Sequence, residues 1–268
     1  MKGVLVYAFN NDVIDYFKQA TWCADRVVRY LGLPVTIVTD EASLAQRSCS
    51  HNVVFDSPIL GGNRIYDRRK NNQPNQWFNV NRIHSYDLSP YDQTVVLDSD
   101  YVVCGDRLNL LFDSPFDVTA MKYAYDVTGR DQLSSYQFIS TPRGLHHFWA
   151  TVMYFRKVPI AQDFFQLLRM INNNYKHYAR IYKMHTKPYR NDHAVSIALN
   201  TLYGHMEQNI PTIPWKMANA LGDVDIQQLD HNVFDLTYDK SSRQYRVRLA
   251  GEDFHFMNKI SLTKLYEN

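Results

Sequence analysis

Thr94-Val95-Val96-Leu97-Asp98-Ser99-Asp100 decides how this chain is read. Four apolar or β-branched residues make a short buried strand, and two carboxylates follow at once. In extended chain, residues i and i+2 point to one side, so Asp98 and Asp100 are expected to converge. Neighbouring carboxylates repel unless a cation neutralises them. Hard oxygen ligands suit Mn²⁺ or Mg²⁺, and such an ion could bridge to a diphosphate. A solvated Asp-Ser-Asp turn is the other reading.

Upstream, strand and helix signals alternate. Val4 to Phe9 is a short apolar run. Asn10-Asn11-Asp12 breaks it and could cap a helix from Val13 to Leu31, where Phe17, Ala20, Cys23, Ala24, Val27, Val28 and Leu31 recur at helical spacing and Gly32 ends the run. Val35–Val38 and Val53–Phe55 read as strands. Gln76–Leu88 reads as a helix stopped near Pro90. Downstream, Ala150–Phe155 predicts a strand, Gln162–Tyr178 and Asn191–Leu202 predict helices, and Tyr245–Leu249 and Phe254–Phe256 predict short strands. Residues 122–147 read as a long loop or lid. The alternation implies an α/β fold with a mostly parallel central sheet and helices on both faces. Ligands in such sheets sit beyond the carboxyl ends of the strands, which is where Asn10, Asp40 and Asp98–Asp100 fall.

Composition narrows the function. The 268 residues are 45% hydrophobic, enough for a full core, and no repeat or linker divides them. A net charge of +2 is too mild to argue for nucleic acid. Nineteen tyrosines suit both core and cleft. Three scattered cysteines, Cys23, Cys49 and Cys104, form no paired framework and favour a reducing cytoplasm. The apolar run at the N-terminus is too short for a signal peptide, and no stretch is long enough to span a membrane.

Further segments sharpen the reading. Arg82-Ile83-His84-Ser85-Tyr86-Asp87-Leu88 leads through Val95-Val96-Leu97 into Asp98-Ser99-Asp100. Ala150–Phe155, then Asn191-Asp192-His193 with Asn200, then His255-Phe256 with Lys259 follow in order. The series resembles the glycogenin-like family (family 8-like) of GT-A glycosyltransferases and spans most of the chain. The resemblance implies a GT-A, Rossmann-like domain over 1–268, with a nucleotide-binding half at 1–105 and an acceptor-side half at 106–268. It implies a nucleotide-sugar donor, UDP-linked foremost, and Mn²⁺ or Mg²⁺ held by Asp98, Asp100 and His255. Arg82 and Lys259 would neutralise the diphosphate or orient the carboxylates. Asp98 or Ser99 would touch the ribose, and Ala8, Asn10 and Asp40 would line the nucleoside pocket. Asp192 would face the donor sugar, with His193 beside it where the family has Gln. Lys259 stands four residues after His255, where the family places it six after. Each residue has a plainer reading: Asp192 as a helix cap, His255 as a structural histidine between two phenylalanines, and Arg82 as a surface residue.

The acceptor is open. Arg64, Arg68, Arg69 and Lys70 among Asn71, Asn72, Gln73 and Asn75 could contact phosphates or form a solvated loop. A saccharide, a protein side chain or a hydroxymethylated base in phage DNA are the candidates, with Tyr123, Tyr125 and Tyr136 available to hold a base. Two rivals stand beside the transferase. A sugar nucleotidyltransferase would want a Gly-rich, basic loop after the first strand, where this chain has Phe9-Asn10-Asn11-Asp12. A non-catalytic nucleotide- or sugar-binding module would not need the full set of carboxylates and histidine.

Overall fold

The computed structural model describes residues 1–45, 47–65, 73–78, 80–130, 139, 144–184 and 188–267. In chain order come β1 Lys2–Ala8, α1 Tyr16–Leu31, β2 Val35–Thr39, α2 Glu41–Leu44 and β3 Asn52–Phe55. A ribbon of β4 Leu60–Arg64 and β5 Asn75–Phe78 follows, then a 3-10 turn Val80–His84 and α3 Ser85–Leu88. β6 Gln93–Leu97, β7 Tyr101–Val102, β8 Val118–Met121, β9 Tyr123–Asp126 and β10 Trp149–Arg156 come next. The rest is α4 Pro159–Asn173, α5 Tyr175–Ile181, α6 Asn191–Leu202, β11 Lys216–Ala220, β12 Asp225–Asp230, β13 Val233–Lys240, β14 Arg243–Ala250, β15 Phe254–Phe256 and α7 Lys259–Leu262.

The central sheet runs β3-β2-β1-β6-β10-β8. The first four strands are parallel, and β10 lies antiparallel to both β6 and β8. This is the α/β, mostly parallel architecture the alternation predicts. Side-chain alternation builds a core on each face. Leu5, Tyr7, Val96, Met153 and Phe155 pack with Phe164, Phe165 and Leu168 of α4 and with Ala194, Ile197 and Ala198 of α6. Val4, Val6, Val95, Leu97 and Val152 pack with Phe17, Ala20, Cys23, Ala24 and Val27 of α1. Val4, Leu5 and Val6 are all 0% exposed, and full burial of such side chains is worth about 1.5–3 kcal/mol each.

Three expectations shift. Asp15 caps α1, accepting the Lys18 N–H at 3.0 Å, while Asn11 is spent on the turn before it, accepting from Val13 and Ile14. The stretch 76–88 is not one helix. Residues Asn75–Phe78 pair with Leu60–Arg64, because Gly61 leaves room for the Trp77 ring and a Cβ there would collide with it. The helix expected over 162–178 starts earlier, with Pro159 in its first turn, and breaks at Asn174 into α4 and α5.

A second sheet, β7-β15-β11-β9, and a meander, β12-β13-β14, complete the chain. β6 ends at Leu97 and β7 begins at Tyr101, so Asp98-Ser99-Asp100 is the step between the two sheets. No helix among the described residues is long and apolar enough to cross a membrane.

Candidate metal and substrate cleft

The step is a turn rather than extended chain: the Tyr101 N–H donates to the Asp98 carbonyl at 3.0 Å. The convergence expected of alternating side chains is therefore produced by tertiary contacts. On one side the Asp98 N–H donates to the Thr151 carbonyl of β10, and on the other the Phe256 N–H of β15 donates to the Asp100 carbonyl, each at 3.0 Å. β15 pairs with β7 in the register His255↔Tyr101. That register carries His255 from the C-terminal region onto the turn. Asp98, Asp100 and His255 each offer one ligand atom, and these atoms lie within 4.8 Å of one another.

Each member is held from behind. The His255 Nδ1 lies 2.8 Å from the Asn219 Oδ1, so this nitrogen carries the proton and donates. That turns Nε2 toward the cluster, 3.3 Å from the Asp100 Oδ2. Lys259, at the start of α7, pairs with the same Asp100 oxygen. Arg82, 3% exposed, pairs with Asp98 and donates its Nη1 to the Ala150 carbonyl at 2.5 Å. The Ser99 Oγ accepts from the Gln19 Nε2 of α1 at 2.8 Å.

The electrostatics follow. Burial alone would raise the Asp100 carboxyl, but the Lys259 ammonium and His255 outweigh it and hold it well below the usual carboxylate range. Burial draws the Arg82 guanidinium down to about 10, against the pull of Asp100 and Asp192. The donor set of two carboxylates and one imidazole fits Mn²⁺ or Mg²⁺, and the Lys259 ammonium stands where positive charge is wanted. An ion bound here would share Asp100 with Lys259.

The cluster forms one end of a narrow cleft with a cavity volume of about 60 Å³, below the range of about 300–1,000 Å³ typical of small-molecule sites. Asp192, in the first turn of α6, forms its other side. The Asp192 Oδ1 accepts the Ala150 N–H at 2.9 Å and the Oδ2 accepts from Arg190 at 2.8 Å. Burial opposes ionisation of Asp192, yet Arg190, His147, the Ala150 N–H and Arg64 together hold its carboxyl well below the usual range. Ala150 thus joins the two ends, its carbonyl taking Arg82 and its N–H going to Asp192.

Asp98, Ser99, Asp100, Arg82, Asp192, His255 and Lys259 all line this cleft. The other expected residues stand apart from its lining. Ala8 is fully buried in β1, with its carbonyl accepting from Thr39. Asn10 ties Ser43, Asp15 and Phe17 together. Asp40 caps α2, accepting the Ser43 N–H at 2.6 Å. His193 turns to α5, where its Nδ1 meets the Tyr175 hydroxyl at 3.0 Å. Arg68, Arg69, Lys70, Asn71, Asn72 and Tyr136 lie outside the described residues. Sequence reasoning missed Asn219, Gln19, Trp77 and Arg190. None sits in a motif; only Arg190, two residues before Asp192, carried a local signal.

No family model matches the sequence, and no curated protein does. Solved structures with similar folds include the galactosyltransferase LgtC in complex with donor and acceptor sugar analogues. It is 17% identical with a TM-score of 0.45, over 74% of this chain and 70% of that one. The glycosyltransferase GlyE of Streptococcus pneumoniae is 13% identical with a TM-score of 0.46, over 80% of this chain and 46% of its own. Mouse xyloside xylosyltransferase 1 is 13% identical with a TM-score of 0.43, over 80% and 84%.

Proposed function

We propose that this chain is a metal-dependent GT-A glycosyltransferase that moves a sugar from a nucleotide-sugar donor, UDP-linked foremost, to an acceptor hydroxyl. The observation that carries the reading is the convergence of Asp98, Asp100 and His255 within 4.8 Å, in a cleft beyond the carboxyl end of β6. Their cationic neighbours suit a diphosphate. A divalent ion bound there would neutralise charge on the diphosphate as it leaves.

The residues of the chain supply the rest. Lys259 and Arg82 hold Asp100 and Asp98 in place and add positive charge beside the leaving group. The Asn219–His255 contact holds the imidazole with its Nε2 toward the carboxylates. Asp192, kept ionised, faces the sugar and can accept from its hydroxyls. In the transfer the bond from the anomeric carbon to the diphosphate oxygen breaks and the oxygen keeps the electron pair. A bond forms from the acceptor oxygen to that carbon, and the acceptor's proton passes to the departing diphosphate or to solvent. A saccharide, a protein side chain or a hydroxymethylated DNA base remain the acceptor classes.

Thermal melting with a panel of nucleotides, with and without Mn²⁺, tests this, because a ligand that binds only the folded chain raises Tm. A Mn²⁺-dependent rise with one nucleotide, lost in Asp100→Asn, is expected. No rise with any nucleotide overturns the proposal.

A further inference from the structure

The cations of the cleft fall into two groups. Arg82 and Lys259 are committed to Asp98 and Asp100. Arg64 and Arg190 line the same cleft on the Asp192 side. Among the described residues no carboxylate pairs with Arg64; its guanidinium lies on the Trp77 ring, 3.7 Å from the centroid. Arg190 gives one nitrogen to Asp192, while its Nε is buried with no hydrogen-bond partner. The two guanidiniums disfavour each other, and burial together with Arg190 lowers the Arg64 pKa. Trp77 holds Arg64 at the cleft as a flat cationic plate, and such a fork matches a carboxylate or phosphate.

Charge counting points the same way. Four cations line the cleft, Arg64, Arg82, Arg190 and Lys259, against three carboxylates, Asp98, Asp100 and Asp192. The surplus is one positive charge. A divalent ion and the two charges of a sugar-linked diphosphate cancel, so a neutral sugar leaves that surplus unmet. The third charge of the departing diphosphate develops at the other end, beside Lys259.

We propose that Arg64 and Arg190 form an anion subsite at the sugar end of the cleft, and that the donor sugar or the acceptor carries a carboxylate or phosphate. This rests on the transferase reading above. The anion has two sources, the donor sugar or the acceptor, and the test separates them.

Calorimetry on the full chain with Mn²⁺ compares UDP-glucuronic acid with UDP-glucose, then glucose 6-phosphate with glucose added to the UDP-loaded protein. The expected result is a preference of at least tenfold for the charged probe in one comparison. That preference should collapse to about one in Arg64→Gln and in Arg190→Gln. Preference in the first comparison assigns the anion to the donor, and in the second to the acceptor. No preference in either, or a preference that survives both substitutions, overturns the subsite. If no nucleotide of the panel binds the wild-type chain, the transferase reading falls and the subsite falls with it; nucleotide binding without charge preference, with the probes carried on the nucleotide that binds, removes the subsite alone.

Discussion

The two ends of the cleft solve opposite problems. At the Asp98–Asp100–His255 end, carboxylates are crowded and every one is answered from within the chain, by Arg82, Lys259 and the Asn219-oriented imidazole. At the Arg64–Arg190 end, cations are crowded and Asp192 answers only part of the charge. The first end is complete as a protein and can take a cation by sharing. The second is finished only by an anion from outside. Arg64 and Arg190 are half-buried, and the Arg190 Nε is left without a partner in the chain, which is where the proposed anion would bind.

Asp100→Ala puts the strongest strain on this contrast. It strands Lys259, which is 8% exposed, and an uncompensated buried charge costs roughly 3–5 kcal/mol. A melting curve should show that loss together with loss of activity. Asp100→Asn combined with Lys259→Met removes both charges. It should regain most of the Tm while Mn²⁺-dependent donor hydrolysis stays down by roughly 10³-fold, the equivalent of several kcal/mol of charge stabilisation. Recovery of hydrolysis in the double variant would show that the carboxylate end is only structural.

Asn219→Leu asks whether the imidazole needs its support. Mn²⁺ affinity, read by the resonance of free ion, should weaken about 10–100-fold, and an unchanged affinity would remove Asn219 from the site.

Asp192 gives the contrast a pH signature. Its folded carboxyl lies below the unfolded value of about 3.9. The stability it contributes is therefore fully present above that value and is lost as pH falls through the folded one. Wild type should lose stability between about pH 4 and pH 2, and Asp192→Asn should lose less across the same window in acid-denaturation curves. Equal slopes would mean that Arg190 does not hold the carboxylate.

Smaller effects probe single supports. Gly61→Ala drives a methyl into the Trp77 ring. It should cut any preference for charged probes by roughly 2–5-fold while leaving Arg64 in the chain, since such a stack is worth about 0.5–1 kcal/mol. Gln19→Leu frees the Ser99 hydroxyl, and a hydrogen bond of about 1 kcal/mol corresponds to roughly a fivefold change in donor KM.

Much of the central sheet was legible because burial on both faces leaves a plain mark, a run of Val, Leu and Ile ending in polar residues. β1, β2 and β6 and α6 stand where that mark places them. The stretch 76–88 misled because apolar residues at helical spacing belong here to a strand, a 3-10 turn and a short helix. Pairing with β4 decided it, and pairing is non-local. Ala8, Asn10 and Asp40 sit at strand ends, where Ala8 and Asn10 are tied to Thr39 and Ser43 and Asp40 caps α2. Asp98, Asp100 and His255 were visible as candidates because few residue types bind hard cations, although nothing in the spacing said that His255 would reach the turn.

The amino-acid order by itself determined the alternating strands and helices, the two-faced core and the identity of the groups able to bind metal. These depend on side-chain period and chemistry, which are local. Tertiary structure alone decided which charge meets which. Lys259 reaches Asp100 across 159 residues, Gln19 reaches Ser99 across 80 and Asn219 reaches His255 across 36. Contacts of that span follow from strand register and sheet order, and they leave no periodic trace in the chain.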